Sequence, residues 1–227
     1  MTILTLRTMR NDLRALAQND GHVAAALERF GYPELRRRPP GFETLLRAIV
    51  FQQISIHAAA AIWKRIEATV TPLTAAAYCA VGDDRLRVCG LSRQKLAYAR
   101  SLAELVASGD VPLGALDTME DQEAIDQLIK IKGVGRWTAE VYLMFALGRR
   151  DMFPADDLGL VVGMQRLKRL RQRPDRKRML KLGEPWRPRR SAAAHLLWHY
   201  FHKTQEEARA LGKERVLEKQ QAAKGGI

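Results

Sequence analysis

The chain has 227 residues, with 38 Lys and Arg against 25 Asp and Glu and a net charge of +13 at pH 7, so it can bury a sizeable core as one large domain or two small ones, and a polyanion is its natural partner. Two cysteines, Cys79 and Cys89, exclude a four-cysteine iron–sulfur centre and give no disulfide scaffold. No apolar run approaches a membrane span, and the opening MTILTLRTMRNDL lacks a sustained apolar core and a small-residue cleavage site; the expectation is a cytoplasmic protein, nucleoid-associated in a bacterium, with no membrane partner.

Apolar residues recur with helical rather than alternating spacing almost throughout, and Ala and Leu dominate, which predicts an all-α fold. In chain order the predicted helices are 12–17, 21–30, 42–53, 56–70, 73–78, 83–88, 92–108, 121–129, 136–147, 157–170, 175–182 and 188–201. Breakers separate them: RRRPPG at 36–41, TP at 71–72, CGLS at 89–92, SGDVP at 108–112, RQRPD at 171–175 and GEPWRP at 183–188. Basic residues gather at 36–38, 168–181 and 187–190 and in the tail, whereas 110–126 is acidic. The charged tail from Thr204 can continue as helix, with its end, QQAAKGGI, expected to fray.

The stretch IKGVGRWTAEVYLMFALG, residues 131–148, places two glycines one residue apart between a predicted helix and the next. Gly133 and Gly135 permit positive φ and remove side chains from the approach, so the amides of a new helix N-terminus can reach a phosphate, with Lys130, Lys132 and Arg136 adding attraction that reads no sequence. A tight helix–helix turn explains an isolated G-x-G equally well. Further on, FPADDLGL sets Asp156 and Asp157 before an apolar helix; one acid can cap that helix, and the other then stands at its positive end. His195, His199 and His202 share a helical face at ligand-like spacing, but HLLWH has Leu196 where the H-E-x-x-H zinc pattern has glutamate.

LIKIKGVGRWTAEVYLMFALGRRDMFPADDLGL resembles the hairpin and catalytic-aspartate region of the helix-hairpin-helix DNA glycosylases, in particular their 3-methyladenine DNA glycosylase II (AlkA-like) branch. LLRAIVFQQIS at 45–55 resembles the family's early helix and wedge loop, LSRQKLAYARSLA at 91–103 a further helix, and PWRPRRSAAAHLLW at 185–198 its late helix. The resemblance runs from Phe42 to Tyr200 with its motifs in order. It implies two helical lobes with a basic DNA cleft, one of residues 42–149 containing the helix-hairpin-helix, the other of 1–41 plus 150–227 with the catalytic aspartate near the junction. With little chain before Phe42, the expected form is the compact one without the N-terminal β-rich domain.

By the same resemblance Asp157 matches the catalytic aspartate, which would stabilise the positive charge that develops on the sugar or orient water. Trp137 occupies the position where members that also cut the backbone carry a lysine, which implies a monofunctional, hydrolytic enzyme. Trp137 and Trp198 match pocket positions whose indole faces attract cationic N3-methyladenine and N7-methylguanine by roughly 0.5–2 kcal/mol; Tyr142 and His199 are secondary pocket candidates or simply core aromatics. Gln53 matches the wedge that fills the gap left by a flipped base. The resemblance further implies Lys132, Gly133, Val134, Gly135, Arg136 and Thr138 as the hairpin's DNA contacts and the main-chain carbonyls of Ile129, Ile131 and Val134 as ligands for a structural Na+ or K+, no other cofactor being required. The implied partner is duplex DNA containing alkylated bases, bound by a monomer. A non-catalytic DNA-binding module, or a glycosylase for hypoxanthine, ethenoadenine or 1-methyladenine, is the alternative.

Overall fold

The computed structural model describes residues 3–224, with side chains to residue 212. Among them are twelve α-helices, two short 3-10 turns and no strand. The helices are α1 (Leu6–Asn19), α2 (Gly21–Phe30), α3 (Phe42–Phe51), α4 (Ile56–Thr69), α5 (Ala75–Ala80), α6 (Asp83–Val88), α7 (Arg93–Ala107), α8 (Asp121–Leu128), α9 (Arg136–Phe145), α10 (Leu158–Leu167), α11 (Arg176–Gly183) and α12 (Arg190–Lys224).

Local chemistry sets most of the starts. Thr5, Asp20, Ser55, Thr74, Ser92, Asp157 and Asp175 each accept a backbone N–H of the helix they precede, which satisfies a donor that the helix itself leaves open. One end corrects the sequence reading. α1 begins at Leu6 rather than 12, because Thr5 and Thr8 form a reciprocal capping box with threonine where the recognisable pattern has Glu or Gln. α12 continues past 201 into the charged tail, to Lys224, and along its first charged turns Lys203 pairs with Glu206 and Glu207 with Arg29. The expected frayed end is thus helical over 220–224, and residues 225–227 lie outside the described residues. The other boundaries fall within three residues of those predicted.

The chain divides into two compact units. The first comprises Arg36–Pro154, with Ile3. Here α7 lies against α3, α5 and α6, and α3 packs also on α4 and α9, burying Leu45, Leu46, Ile49, Val50, Ala99 and Leu102 completely. Residues 36–41 and 150–154, assigned from sequence to the other lobe, belong here. The Arg38 N–H donates to the Phe145 carbonyl (2.9 Å), Arg37 to that of Ala146 (3.2 Å) and the Gly41 N–H to the Tyr142 hydroxyl (2.8 Å), so the strap is tied to the C-terminal half of α9. Buried Arg149 donates to the Asp121 carboxylate (3.0 Å) and to the carbonyls of Leu116 (2.6 Å) and Met119 (2.5 Å). It fixes the start of α8 to the chain that follows α9.

The second unit comprises Leu4–Leu35 and the chain from Ala155 onward. α10 crosses α12 at Gly163, where a Cβ would lie 2.5 Å from the Leu197 carbonyl oxygen, so the crossing depends on the absence of a side chain. Asp20 ties the ends of three elements together: it accepts from His22 N–H at the start of α2 (3.1 Å), from Lys168 after α10 (2.5 Å) and from the Trp186 indole (2.9 Å). Burial alone would raise the Asp20 pKa, but the Lys168 bond, the Trp186 N–H, the Lys168 charge and the His22 N–H together hold it below its ordinary 3.8. Because the folded-state value is depressed, this stabilisation is present above pH 3.8 and is lost as pH falls through the folded value. Asp20→Ala is expected to cost roughly 2–4 kcal/mol by stranding Lys168 and uncapping α2. Urea unfolding of this variant should show that loss at pH 7 and a much smaller one near pH 2.5.

Candidate active site

The hairpin sits between α8 and α9. Its turn is closed by N–H donation from Ile131 to the Leu128 carbonyl (3.2 Å) and from Val134 to that of Ile131 (3.0 Å), while the Ile131 and Val134 side chains are buried beneath it. The Lys132 N–H donates to the Ser101 hydroxyl on α7 (3.1 Å), and the Gln52 amide donates to the Gly133 carbonyl (3.0 Å). The two glycines differ. Gly133 has φ +82°, and a Cβ there would lie 2.1 Å from the Tyr98 ring. Gly135, the N-cap of α9, is extended (φ −89°, ψ 174°) with nothing within 4 Å. The expectation of a positive φ therefore holds for Gly133 alone; Gly135 caps α9 with no side-chain hydrogen bond.

Around this turn Arg136 is drawn along the protein surface, donating to Glu140 (3.0 Å) and to Gln122 (3.1 and 3.2 Å). Lys130 donates to Gln127 (2.7 Å), and Lys132 is exposed. A cavity of about 1000 Å³ opens beside the hairpin within the same unit, lined by Gln53, Lys95, Tyr98, Trp137, Thr138 and Tyr142 among others. Trp137 is 41% exposed, although it is a large aromatic, and Thr138 is buried behind it. The Tyr142 hydroxyl holds the Gly41 N–H, and burial raises its pKa. Lys95 donates from Nζ to the Val50 carbonyl at the C-terminal end of α3 (2.6 Å), and burial lowers its pKa. Just beyond that end, exposed Gln53 has φ +54°, a left-handed backbone uncommon for a residue with a side chain.

In the second unit, Asp157 is itself the N-cap of α10. Its Oδ1 accepts the Leu160 N–H (2.9 Å) and the Trp198 indole N–H (2.8 Å). Of the two acids, Asp157 is therefore the one that caps α10, and Asp156 is held in an ion pair with Arg176. A Cβ at Gly159 would lie 3.0 Å from Trp198 Cδ1 and 3.1 Å from Asp157 Oδ1, so this glycine makes room for the indole to reach the carboxylate. His199 Nε2 donates to the Phe30 carbonyl (2.9 Å) and His195 Nδ1 to that of Ser191 (2.8 Å). Those bonds tie α12 internally and to the end of α2. Among the described residues no group of three His, Cys, Asp or Glu side chains is placed to hold a metal ion.

A family model described as HhH-GPD superfamily base excision DNA repair protein matches residues 46–188. The chain belongs to that superfamily. It is 37% identical over 161 residues, 69% of its length and 71% of the relative's, to DNA-3-methyladenine glycosylase 1 of Schizosaccharomyces pombe. Among solved structures it is similar to a DNA-3-methyladenine glycosidase from Bacillus halodurans, with TM-score 0.80 at 34% identity over 86% of this chain and 91% of that one. It is also similar to the S. pombe 3-methyladenine DNA glycosylase in complex with abasic DNA, with TM-score 0.74 at 32% identity over 83% and 95%.

Within this HhH-GPD chain the structure gathers Gln53, Trp137, Thr138 and Tyr142 around one cavity and sets Trp198 on Asp157. Tyr98, Gln52 and Lys95 went unassigned in the sequence, where only their helical spacing shows; Gly159 was signalled solely as a glycine inside a helix, where the residue is costly. The hairpin's dependence on Gly133 is directly measurable. Gly133→Ala should lose about 2–4 kcal/mol in denaturant unfolding, from left-handed strain plus overlap with Tyr98. Gly135→Ala should stay within about 1 kcal/mol of the parent, a weaker cap offsetting reduced freedom of the unfolded chain.

Proposed function

We propose that this chain is a monofunctional DNA glycosylase that flips N3-methyladenine and N7-methylguanine out of duplex DNA and hydrolyses their bond to the sugar, initiating base excision repair. The observation that carries the reading is the Asp157 carboxylate, held by a helix N-terminal amide and an indole N–H on one oxygen. Superfamily membership and the relatives' names support the lesion class, and the abasic DNA bound by the S. pombe relative is of the kind such a reaction leaves.

The hairpin binds phosphates at the N-terminal end of α9, with Lys132 supplying charge. Gln53 is the wedge: its left-handed backbone presents the side chain at the cavity rim, and its amide can hydrogen-bond the orphaned partner base. Trp137 offers an indole face to the cationic base. As the bond from C1′ breaks, its electron pair leaves on the base and cancels the alkylated ring's charge, while the sugar becomes cationic. Asp157 stabilises that cation, and a water oxygen then bonds to C1′ as its proton passes to solvent. The Ile129, Ile131 and Val134 carbonyls suit a Na+ or K+ ion; Ile131, which accepts the Val134 N–H, keeps a second lone pair.

Asp157→Asn keeps a capping oxygen for Leu160 and Trp198 and should lower release of N3-methyladenine from alkylated duplex by roughly 10²–10³-fold with duplex affinity unchanged. Release at the parental rate would end the assignment of Asp157. Binding to either protein should weaken with salt at a log–log slope near 0.9 per phosphate contacted. An indole at position 137 forms no Schiff base, and Lys95, among the described residues the one lysine lining the cavity, is engaged with Val50. Borohydride should therefore trap no covalent complex with abasic DNA; trapping abolished by Lys95→Gln would instead assign a lyase.

A further inference from the structure

Residues 168–181 contain eight basic side chains and one acid, Asp175, and so carry more than half of the chain's net charge. Two of the eight are neutralised within the unit: Lys168 by Asp20 and Arg176 by Asp156. The other six, Arg169, Arg171, Arg173, Lys177, Arg178 and Lys181, are all exposed. Among the described residues none of them has a carboxylate within ion-pair distance. Asp175 is engaged in capping α11, accepting the Arg178 N–H at 2.7 Å.

The loop that carries Arg171 and Arg173 is held at both ends. On the α10 side the Lys168, Arg169 and Leu170 N–H groups donate to the carbonyls of Met164 (2.9 Å), Arg166 (3.2 Å) and Gln165 (2.9 Å), with Arg169 at φ +52°. On the α11 side Pro174 is buried and Asp175 forms the cap. Cations on a pre-set backbone lose less freedom on binding than cations on a coil. A face built only for solubility intersperses both signs, and this one does not.

We infer that the α10–α11 loop and the outer face of α11 form a second, sequence-independent phosphate-binding surface for duplex DNA, separate from the hairpin and from Asp157. The inference rests on the DNA-repair reading for its choice of polyanion. α10 starts at Asp157 and its far end enters this loop; ten residues of helix span about 15 Å, or between four and five base pairs at ~3.4 Å each. The surface therefore contacts backbone several nucleotides from the lesion, where it adds grip without touching the reacting sugar.

The test is a salt titration of binding to an undamaged 25-base-pair duplex, alongside base release from alkylated duplex at saturating protein. Three proteins are compared: the parent, Arg171→Gln/Arg173→Gln/Lys177→Gln, and a control of equal charge change on another exposed face of the same unit, Arg7→Gln/Arg10→Gln/Arg14→Gln. The expected result is a log–log salt slope lowered by about 2–3 in the first variant, near 0.9 per lost phosphate contact, a change below about 1 in the control, and single-turnover release within twofold of the parent for both. Equal slopes in all three proteins, or equal losses in both variants, would overturn the second surface while leaving the glycosylase reading intact. A parent that binds without salt dependence would overturn phosphate binding at this surface and at the hairpin alike, whereas a parent that releases no base would overturn the glycosylase reading.

Discussion

At residue 133 the backbone passes so close to the Tyr98 ring that no side chain fits between them. That close approach governs the working surface of the first unit. It holds the turn against α7, and from this position the Ser101 hydroxyl reaches the Lys132 amide and the Gln52 side chain reaches the Gly133 carbonyl. Gln52 ends α3 and precedes Gln53, so one contact network sets both the approach to the α9 amides and the residue at the cavity rim. Lys95 completes the network by gripping the Val50 carbonyl from α7. The turn, the cavity wall and the end of α3 are consequently one mechanical assembly, and a disturbance at any of them reaches the others through packed atoms.

In the second unit the governing economy is different. Asp157 closes α10, and it also receives the Trp198 indole. A carboxylate that caps a helix has its direction fixed by the backbone of that helix, and an indole bond on the same oxygen removes the remaining rotational freedom. Such preorganisation is what electrostatic stabilisation needs, because dipoles and charges already in place do not have to reorient as charge develops. Arg176 meanwhile holds Asp156, which keeps the neighbouring negative charge paired.

Helix identity and order were legible in the sequence because apolar spacing and capping residues are local signals; α2 and α6 match their predicted limits. The start of α1 escaped because a Thr–Thr capping box is a rarer form, whereas the helical tail of α12 was foreseen but its length was not, since a charged helix has no apolar stripe to follow. Motif order singled out Trp137, which lines the cavity, and Asp157, which caps α10. What escaped depends on long-range proximity: Tyr98 lies 35 positions before Gly133 and Trp198 lies 41 after Asp157, and nothing in either local pattern announces the pair. Tyr142 and His199 illustrate the limit from the other side. Their polar atoms are occupied by Gly41 and Phe30, contacts that residue type alone does not foretell.

Gln53 carries one further implication. Its left-handed backbone disfavours any residue with a Cβ by about 1 kcal/mol relative to glycine, so chain stability alone would select glycine at this site. A glutamine there sets conformational ease against the presence of a side chain at the cavity. Exchanging Gln53 for glycine would relax the backbone and remove the amide from the cavity wall in one step, so stability and side-chain chemistry trade against each other at a single residue.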